Sequence, residues 1–235
     1  MLLTTISKLQ SVLFPATCIL CGAAGIGDRD LCIECAAELP QNHNACWRCA
    51  QPFAIPKPPN TLCRRCQRLP PPFTRTFTAF RYQAAVPFLI IGAKFEGKLN
   101  FARLLGQCLT ERVMNAAQPL PEVLIPVPLH SSRLRERGYN QSLEIARVLN
   151  QKLQIPLNYQ CCARVLATTP QTELSARARR HNLRGAFTVM NSLPWSHIAI
   201  IDDVMTTGTT VSELSRLFAN AGVKKIEIWA VARAG

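Results

Sequence analysis

Eight of the eleven cysteines of this 235-residue chain fall in four Cys-x-x-Cys pairs packed into 49 residues: Cys18/Cys21, Cys32/Cys35, Cys46/Cys49 and Cys63/Cys66. Two such pairs joined by a short loop bring four thiolates into tetrahedral reach of one Zn²⁺. Taken in sequence order, the pairs give two Cys₄ ribbons with inner loops of 10 and 13 residues. Disulfides are the rival reading, which a reducing compartment disfavours, and a single thioredoxin-like redox pair would not recur four times. The segment Cys18–Cys66 contains only ten large aliphatic or aromatic residues. That is too few for a core, so metal binding, worth on the order of 10–16 kcal/mol per site, has to hold the segment folded. His43 could stand in for a cysteine, although an exposed loop histidine is the simpler reading.

Composition changes after the last cysteine pair. Leu69-Pro-Pro-Pro-Phe73 is a semi-rigid spacer that continues neither helix nor sheet. The chain therefore divides into an N-terminal segment (1–17), a double ribbon (18–68), a Pro-rich linker (69–75) and a larger domain (76–235). In that domain the hydrophobic pattern predicts strands over Thr76–Tyr82, Glu122–Val127, Ile198–Ile201 and Ile226–Ala232. It predicts helices over Val86–Phe95 and Phe101–Ala117, one opened by Asn140 as N-cap, and one carrying Val211, Leu214, Leu217 and Phe218 before Gly222. Ile198–Ile201 is a continuous apolar run, the mark of a strand buried on both faces, so the fold class is α/β with a mainly parallel sheet. No apolar run approaches the ~20 residues of a membrane span, and Met1–Thr17 lacks a basic lead, so the protein is expected in the cytoplasm without membrane insertion. A ribbon that is a separate module further implies that replacing Cys46 and Cys63 leaves ligand binding by the larger domain intact.

The formal charge is +13, and residues 131–185 carry ten Lys and Arg against three Asp and Glu, more than half of the excess in under a quarter of the chain. Nearly all of it is Arg, whose planar fork suits phosphate oxygens, so a polyanionic ligand is implied; a solvated basic face is the plainer alternative. The charges gather in two places, a basic loop over residues 129–137 and a long polar excursion over 168–185 that reads as a flap.

Between the Ile198–Ile201 strand and the following helix stands Asp202-Asp203-Val204-Met205-Thr206-Thr207-Gly208-Thr209-Thr210. Ligands of α/β sheets bind at this end of a parallel strand. Backbone amides of the Thr-rich turn, the positive helix end and the hydroxyls make an anion cradle for one phosphate group, with Gly208 permitting close approach. The two carboxylates suit ribose hydroxyls or a hydrated Mg²⁺. The plainer alternative is that Asp203 and Thr206 only cap a helix. No Gly-Lys-Ser/Thr follows a glycine loop, and no Gly-x-Gly-x-x-Gly opens a helix after a strand, so neither a P-loop NTPase nor a Rossmann dehydrogenase is supported.

The segment Ile200–Thr210 resembles the 5-phosphoribosyl-1-diphosphate (PRPP) signature of type I phosphoribosyltransferases. The four cysteine pairs ahead of it, with Pro126-Val-Pro-Leu129, Arg137-Gly-Tyr-Asn-Gln141, Thr169-Pro-Gln-Thr172 and Arg180–Phe187, narrow the resemblance to the ComF/GntX family over Cys18–Arg233. The resemblance implies a type I phosphoribosyltransferase-like domain behind a small zinc-ribbon module holding two Zn²⁺. It implies a PRPP site formed by Asp202 and Asp203, the acids facing the ribose and Mg²⁺ and the catalytic candidates, with Val204, Met205 and a Thr206–Thr210 phosphate loop. Arg133 and Arg137 would meet the diphosphate. A hood over Gln171–Arg184 would offer Arg177, Arg179, Arg180 and Arg184 to the diphosphate or to single-stranded DNA. Lys94, beside Phe95, reads as a chain snorkelling from a core helix, with a remote ligand contact as the alternative. The family is associated with DNA uptake in natural transformation, on the cytoplasmic side and with partners in the import machinery. A conventional phosphoribosyltransferase acting on a small acceptor is the other expectation.

Overall fold

The computed structural model describes residues 15–116, 119–166, 185–189 and 193–235. Two short helices lie in the cysteine-rich segment, α1 (Ile33–Glu38) and α2 (Arg64–Arg68). Each begins immediately after the first cysteine of a pair, with Cys32 and Cys63 as N-caps. The larger domain follows as β1 (Arg75–Arg81), α3 (Val86–Phe95), α4 (Leu99–Met114), β2 (Val123–Pro126), α5 (Ser131–Arg137), α6 (Gln141–Leu153), β3 (Cys162–Arg164), β4 (Phe187–Val189), β5 (His197–Met205), α7 (Thr209–Asn220) and β6 (Lys225–Arg233).

Four strands form one parallel sheet in the order β1-β6-β5-β2, and β3 pairs antiparallel with β4. The alternation of side chains along β5 divides the core in two. Ala199 and Ile201 point into a layer with Phe77, Trp229 and Val231 under α3, α4 and α6, while Ile198 and Ile200 point into a second layer with Val211, Leu214 and Phe218 of α7. Phe77, Trp229 and Phe218 are each at most 1% exposed, and emptying any of them would cost about 3–5 kcal/mol. Gly106 lets α4 close on α6: a Cβ there would stand 2.8 Å from Cβ of Val148.

The ribbons are not tethered beside this body but built into it. Cys18, Leu31, Cys32 and Leu39 join the first core layer, and Cys46, Cys49 and Cys66 join the second. The few apolar residues of the ribbons thus find the rest of their core on the sheet. Residues 40–42 also run along β1, which among the described residues has no other neighbour on that side: Gln41 bridges Phe80 antiparallel, the Asn42 N–H donates to Ala79 O at 3.0 Å, and the Arg81 N–H donates to Pro40 O at 2.8 Å. The exposed edge of the sheet is covered in this way. Among the described residues no helix is long and apolar enough to cross a membrane.

Two expectations about local structure are corrected. Residues 131–137 are not loop but helix α5, held by caps rather than by an apolar face: His130 Nδ1 accepts the Ser132 N–H, and Gly138 ends it at φ 79°. The strand expected over Ile198–Ile201 continues to Met205, so Asp202, paired in register with Ala230 of β6, and Asp203 belong to the strand and not to the loop after it.

Candidate functional site

With β5 ending at Met205, the turn into α7 is only Thr206, Thr207 and Gly208. Gly208 is the N-cap of α7 with φ +75°, a left-handed conformation, and a Cβ on it would lie 2.8 Å from Met205 Cε. The positive φ is what calls for glycine, since the Met205 methyl is the end of a flexible side chain that can move aside. Thr207 Oγ1 and Thr209 Oγ1 are hydrogen-bonded at 2.7 Å. The turn lies at the carboxyl end of the central strand and lines a cleft of about 930 Å³ with Asp202, Asp203, α3, α5 and the start of α6.

Both carboxylates are buried, Asp202 at 8% and Asp203 at 5% exposure. Asp202 Oδ1 accepts from the Asp203 N–H at 2.9 Å and from Ser142 Oγ at 3.5 Å. Asp203 Oδ2 faces Lys94 Nζ at 3.3 Å and Gln141 Nε2 at 3.5 Å, while its Oδ1 accepts the Val204 N–H at 2.9 Å. Burial and then the adjacent Asp203 carboxylate push Asp202 well above the usual carboxylate range. Asp203, equally buried, is nonetheless held below that range by the Lys94 ammonium, which is itself raised by Asp203. The two acids are therefore set apart electrostatically, Asp202 shifted toward its protonated form and Asp203 toward its ionised form. Lys94 is no snorkelling chain: it comes from the far side of the cleft to the acid pair.

The cleft also has a cationic lining. Arg133, Arg137 and Arg164 all line the cleft. Arg133 Nη1 pairs with Glu136 at 3.1 Å, Arg137 Nη1 donates to Gln141 Oε1 at 2.6 Å, and the Arg137 guanidinium lies 5.1 Å from the Phe95 ring centre. Arg137, Gln141 and Asp203 thus form one connected chain across the cleft. Its placement comes from Asn140, the N-cap of α6, whose Oδ1 accepts the Ser142 N–H at 3.0 Å and whose Nδ2 donates to Val127 O at 3.0 Å. The predicted residues Arg133, Arg137, Asp202–Asp203 and Val204–Thr210 are all brought to this one cleft. The hood residues Arg177, Arg179, Arg180 and Arg184 lie outside the described residues. For Lys94 the structure bears out the alternative, a contact in the cleft, and Gln141, Ser142 and Arg164 are additions to the expected residues. The predicted start of α6 at Asn140 was the signal for Gln141 and Ser142, and nothing in the chain marked Arg164.

The cysteines assemble into the two expected sets, Cys18/Cys21/Cys32/Cys35 and Cys46/Cys49/Cys63/Cys66, with the four Sγ atoms of each set within 4.8 Å of one another. Cys21 and Cys32 stand 3.6 Å apart and Cys49 and Cys63 3.7 Å, close to the ~3.8 Å between thiolates sharing a tetrahedral Zn²⁺ and far from a disulfide bond. The Cys35 N–H donates to Cys32 Sγ at 3.4 Å and the Cys63 N–H to Cys46 Sγ at 3.2 Å, contacts that favour thiolate ligands. His43 belongs to neither set and is exposed. The donor sets fit zinc.

A four-stranded parallel sheet with this cleft at its carboxyl edge and two Cys₄ sets docked on its layers defines a phosphoribosyltransferase-type domain joined to a double zinc ribbon. Residues 9–67 match the double zinc ribbon domain family and residues 140–235 the phosphoribosyl transferase domain family. The chain is 33% identical over 224 residues to the DNA utilization protein YhgH of Salmonella typhi, covering 93% of this chain and 97% of the relative. It is 33% identical over 229 residues to competence protein F of Haemophilus influenzae, covering 94% and 98%, and 22% identical over 203 residues to competence protein ComFC of Bacillus subtilis, covering 83% and 80%. The chain belongs to the ComF/GntX family.

Proposed function

We propose that this protein binds PRPP with Mg²⁺ in the β5–α7 cleft and serves DNA uptake by handling single-stranded DNA on the cytoplasmic side of import. The observation that carries the PRPP reading is the juxtaposition of a phosphate-sized turn at a left-handed Gly208, a buried acid pair one step before it, and Arg133, Arg137 and Arg164 across the same cleft. The turn would take the 5-phosphate, Asp202 and Asp203 the ribose hydroxyls, and the arginines the diphosphate. Mg²⁺, when bound, would neutralise the diphosphate beside the two acids. Lys94 holds the ionised Asp203 until a ligand arrives, and the Arg137–Gln141–Asp203 chain orients both walls.

The DNA reading is supported by the names of the relatives, by the Arg-rich stretch 131–185 and by exposed aromatic residues of α3. There Phe88 and Phe95 are exposed, Lys98 Nζ lies 5.9 Å from the Phe88 ring and 5.1 Å from the Phe101 ring, and Arg137 covers Phe95. Aromatic faces interleaved with cations suit the bases and phosphates of a single strand. One observation favours the second reading, transfer to a small planar acceptor: Ile90, Ile91 and Phe95 give the cleft an apolar end beside the acid pair.

Calorimetric titration with PRPP at saturating Mg²⁺ tests the site. Binding should be measurable in the native protein and at least tenfold weaker in the Asp202→Asn, Asp203→Asn double variant; equal affinity refutes the roles assigned to the acids. Pyrophosphate release from PRPP in the presence of free bases, but not of single-stranded DNA, would favour the small-acceptor reading.

A further inference from the structure

Arg233, the last residue of β6, joins the second cysteine set to the turn after β5. It is 5% exposed, and all three of its guanidinium nitrogens are engaged. On the ribbon side, Nε donates to Cys49 O at 3.1 Å and Nη2 to Gln51 Oε1 at 2.8 Å. The Gln51 carbonyl in turn accepts the Cys46 N–H at 2.8 Å. On the other side, Nη1 donates to Met205 O at 2.9 Å and also to the carbonyls of Thr206 and Ala234. One buried fork therefore holds the carbonyl of a metal-ligand cysteine together with the carbonyls of the last β5 residue and the first turn residue.

In a trans peptide the C=O and the following N–H point in opposite directions. The Met205 carbonyl is also held by the Ala234 N–H at 3.0 Å, so the carbonyl that depends on Arg233 is that of Thr206, and drawing it onto the fork turns the Thr207 N–H away, onto the side where Thr206–Thr210 line the cleft. Donors fixed before the anion arrives need no reorganisation to receive it. A lysine cannot replace the fork, because one ammonium does not reach acceptors on both sides.

We infer that Arg233 is a positioning residue that couples metal occupancy of the Cys46/Cys49/Cys63/Cys66 set to the anion affinity of the Thr206–Thr210 turn. Metal fixes the Cys49 carbonyl, the carbonyl anchors Arg233, and Arg233 aims the Thr207 amide. The inference rests on the phosphate-turn reading proposed above. It also reverses the expectation that loss of Cys46 and Cys63 leaves ligand binding intact. Among the described residues the first cysteine set makes no hydrogen bond to the turn, so the coupling belongs to the second set.

The test uses the full chain and ribose 5-phosphate as probe, with affinity measured by calorimetry and zinc content on the same samples. Arg233→Gln and Arg233→Lys should each weaken binding about tenfold to hundredfold, the range for losing charge-supported hydrogen bonds. Cys63→Ser, which should retain one zinc per chain, is expected to weaken it equally, and adding Arg233→Gln to Cys63→Ser should change affinity less than twofold further. Cys21→Ser, which should lose the other zinc, is expected to bind within twofold of the native protein. Should Cys63→Ser fold poorly, chelating the remaining zinc from Cys21→Ser is to reproduce the loss. Unchanged affinity in Arg233→Gln, additive effects of Arg233→Gln and Cys63→Ser, or an equal loss in Cys21→Ser overturns the coupling. Absence of ribose 5-phosphate binding by the native protein overturns the reading of the turn together with it.

Discussion

Asp202 and Asp203 stand side by side in a buried strand end, with the Lys94 ammonium 3.3 Å from Asp203. Because burial and Asp203 raise Asp202, the favourable contribution of its protonated form is complete below the unfolded carboxylate pKa and is lost as pH rises through the higher folded value. Asp202→Asn copies the protonated form and keeps an acceptor for Ser142 and the Asp203 N–H. It should therefore raise the melting temperature of the ligand-free protein at pH 7 by about 2–4 °C, an effect of ~1 kcal/mol, with the gain shrinking toward pH 4. The same change should weaken PRPP binding; a melting temperature that falls at pH 7 would contradict the raised Asp202. At this scale much of the site was legible, since the acids and the threonine turn are contiguous in the chain and their chemistry is local. For Lys94 a ligand contact was legible only as the alternative, because its partner Asp203 is brought within 3.3 Å by the fold and not by the chain order.

The α7 element depends on one backbone conformation at its start. Gly208→Ala has to place a Cβ 2.8 Å from Met205 Cε at φ +75°, which costs about 1–2 kcal/mol and displaces the turn. The expected result is a melting temperature lower by several degrees with PRPP affinity reduced at least tenfold; a variant that loses stability but binds as tightly would show that the turn does not hold the phosphate. Elements with an apolar period were readable ahead of the structure: α3 and the sheet strands fall within a residue or two of their predicted bounds, apart from the longer β5. Helix α5 was not, because Ser131–Arg137 carries Leu134 as its only large apolar residue, and its helicity comes from the His130 and Gly138 caps rather than from a buried face.

Across the whole molecule the two cysteine sets dock on opposite layers of the sheet, so metal stabilises the body as well as the ribbons. Freshly purified reduced protein should contain close to two Zn²⁺ per chain, and chelation should lower the unfolding transition of the entire protein; elemental analysis returning one or none would remove the two-ribbon assignment. If the basic excess engages single-stranded DNA, affinity should fall with a log–log salt slope of about −0.7 per phosphate neutralised, or about −3 for four arginines, and single Ala changes at Arg177, Arg179, Arg180 and Arg184 should flatten it. A slope near zero would leave the small-acceptor reading. The ribbons themselves were plain from cysteine spacing, whereas their docking was not, since each shares its core layer with residues such as Phe80 or Val123 from another part of the chain. The sheet order has one further result. Strand β6 lies between β1 and β5, so β1 emerges from the ribosome and waits through some 150 residues, roughly 8–30 s at ordinary rates of synthesis, for its partner. Both cysteine sets are complete by Cys66, long before that strand exists. In the cell the nascent chain can thus be metallated first and close its sheet last, and a chain denatured and refolded without zinc takes the two steps in the opposite order.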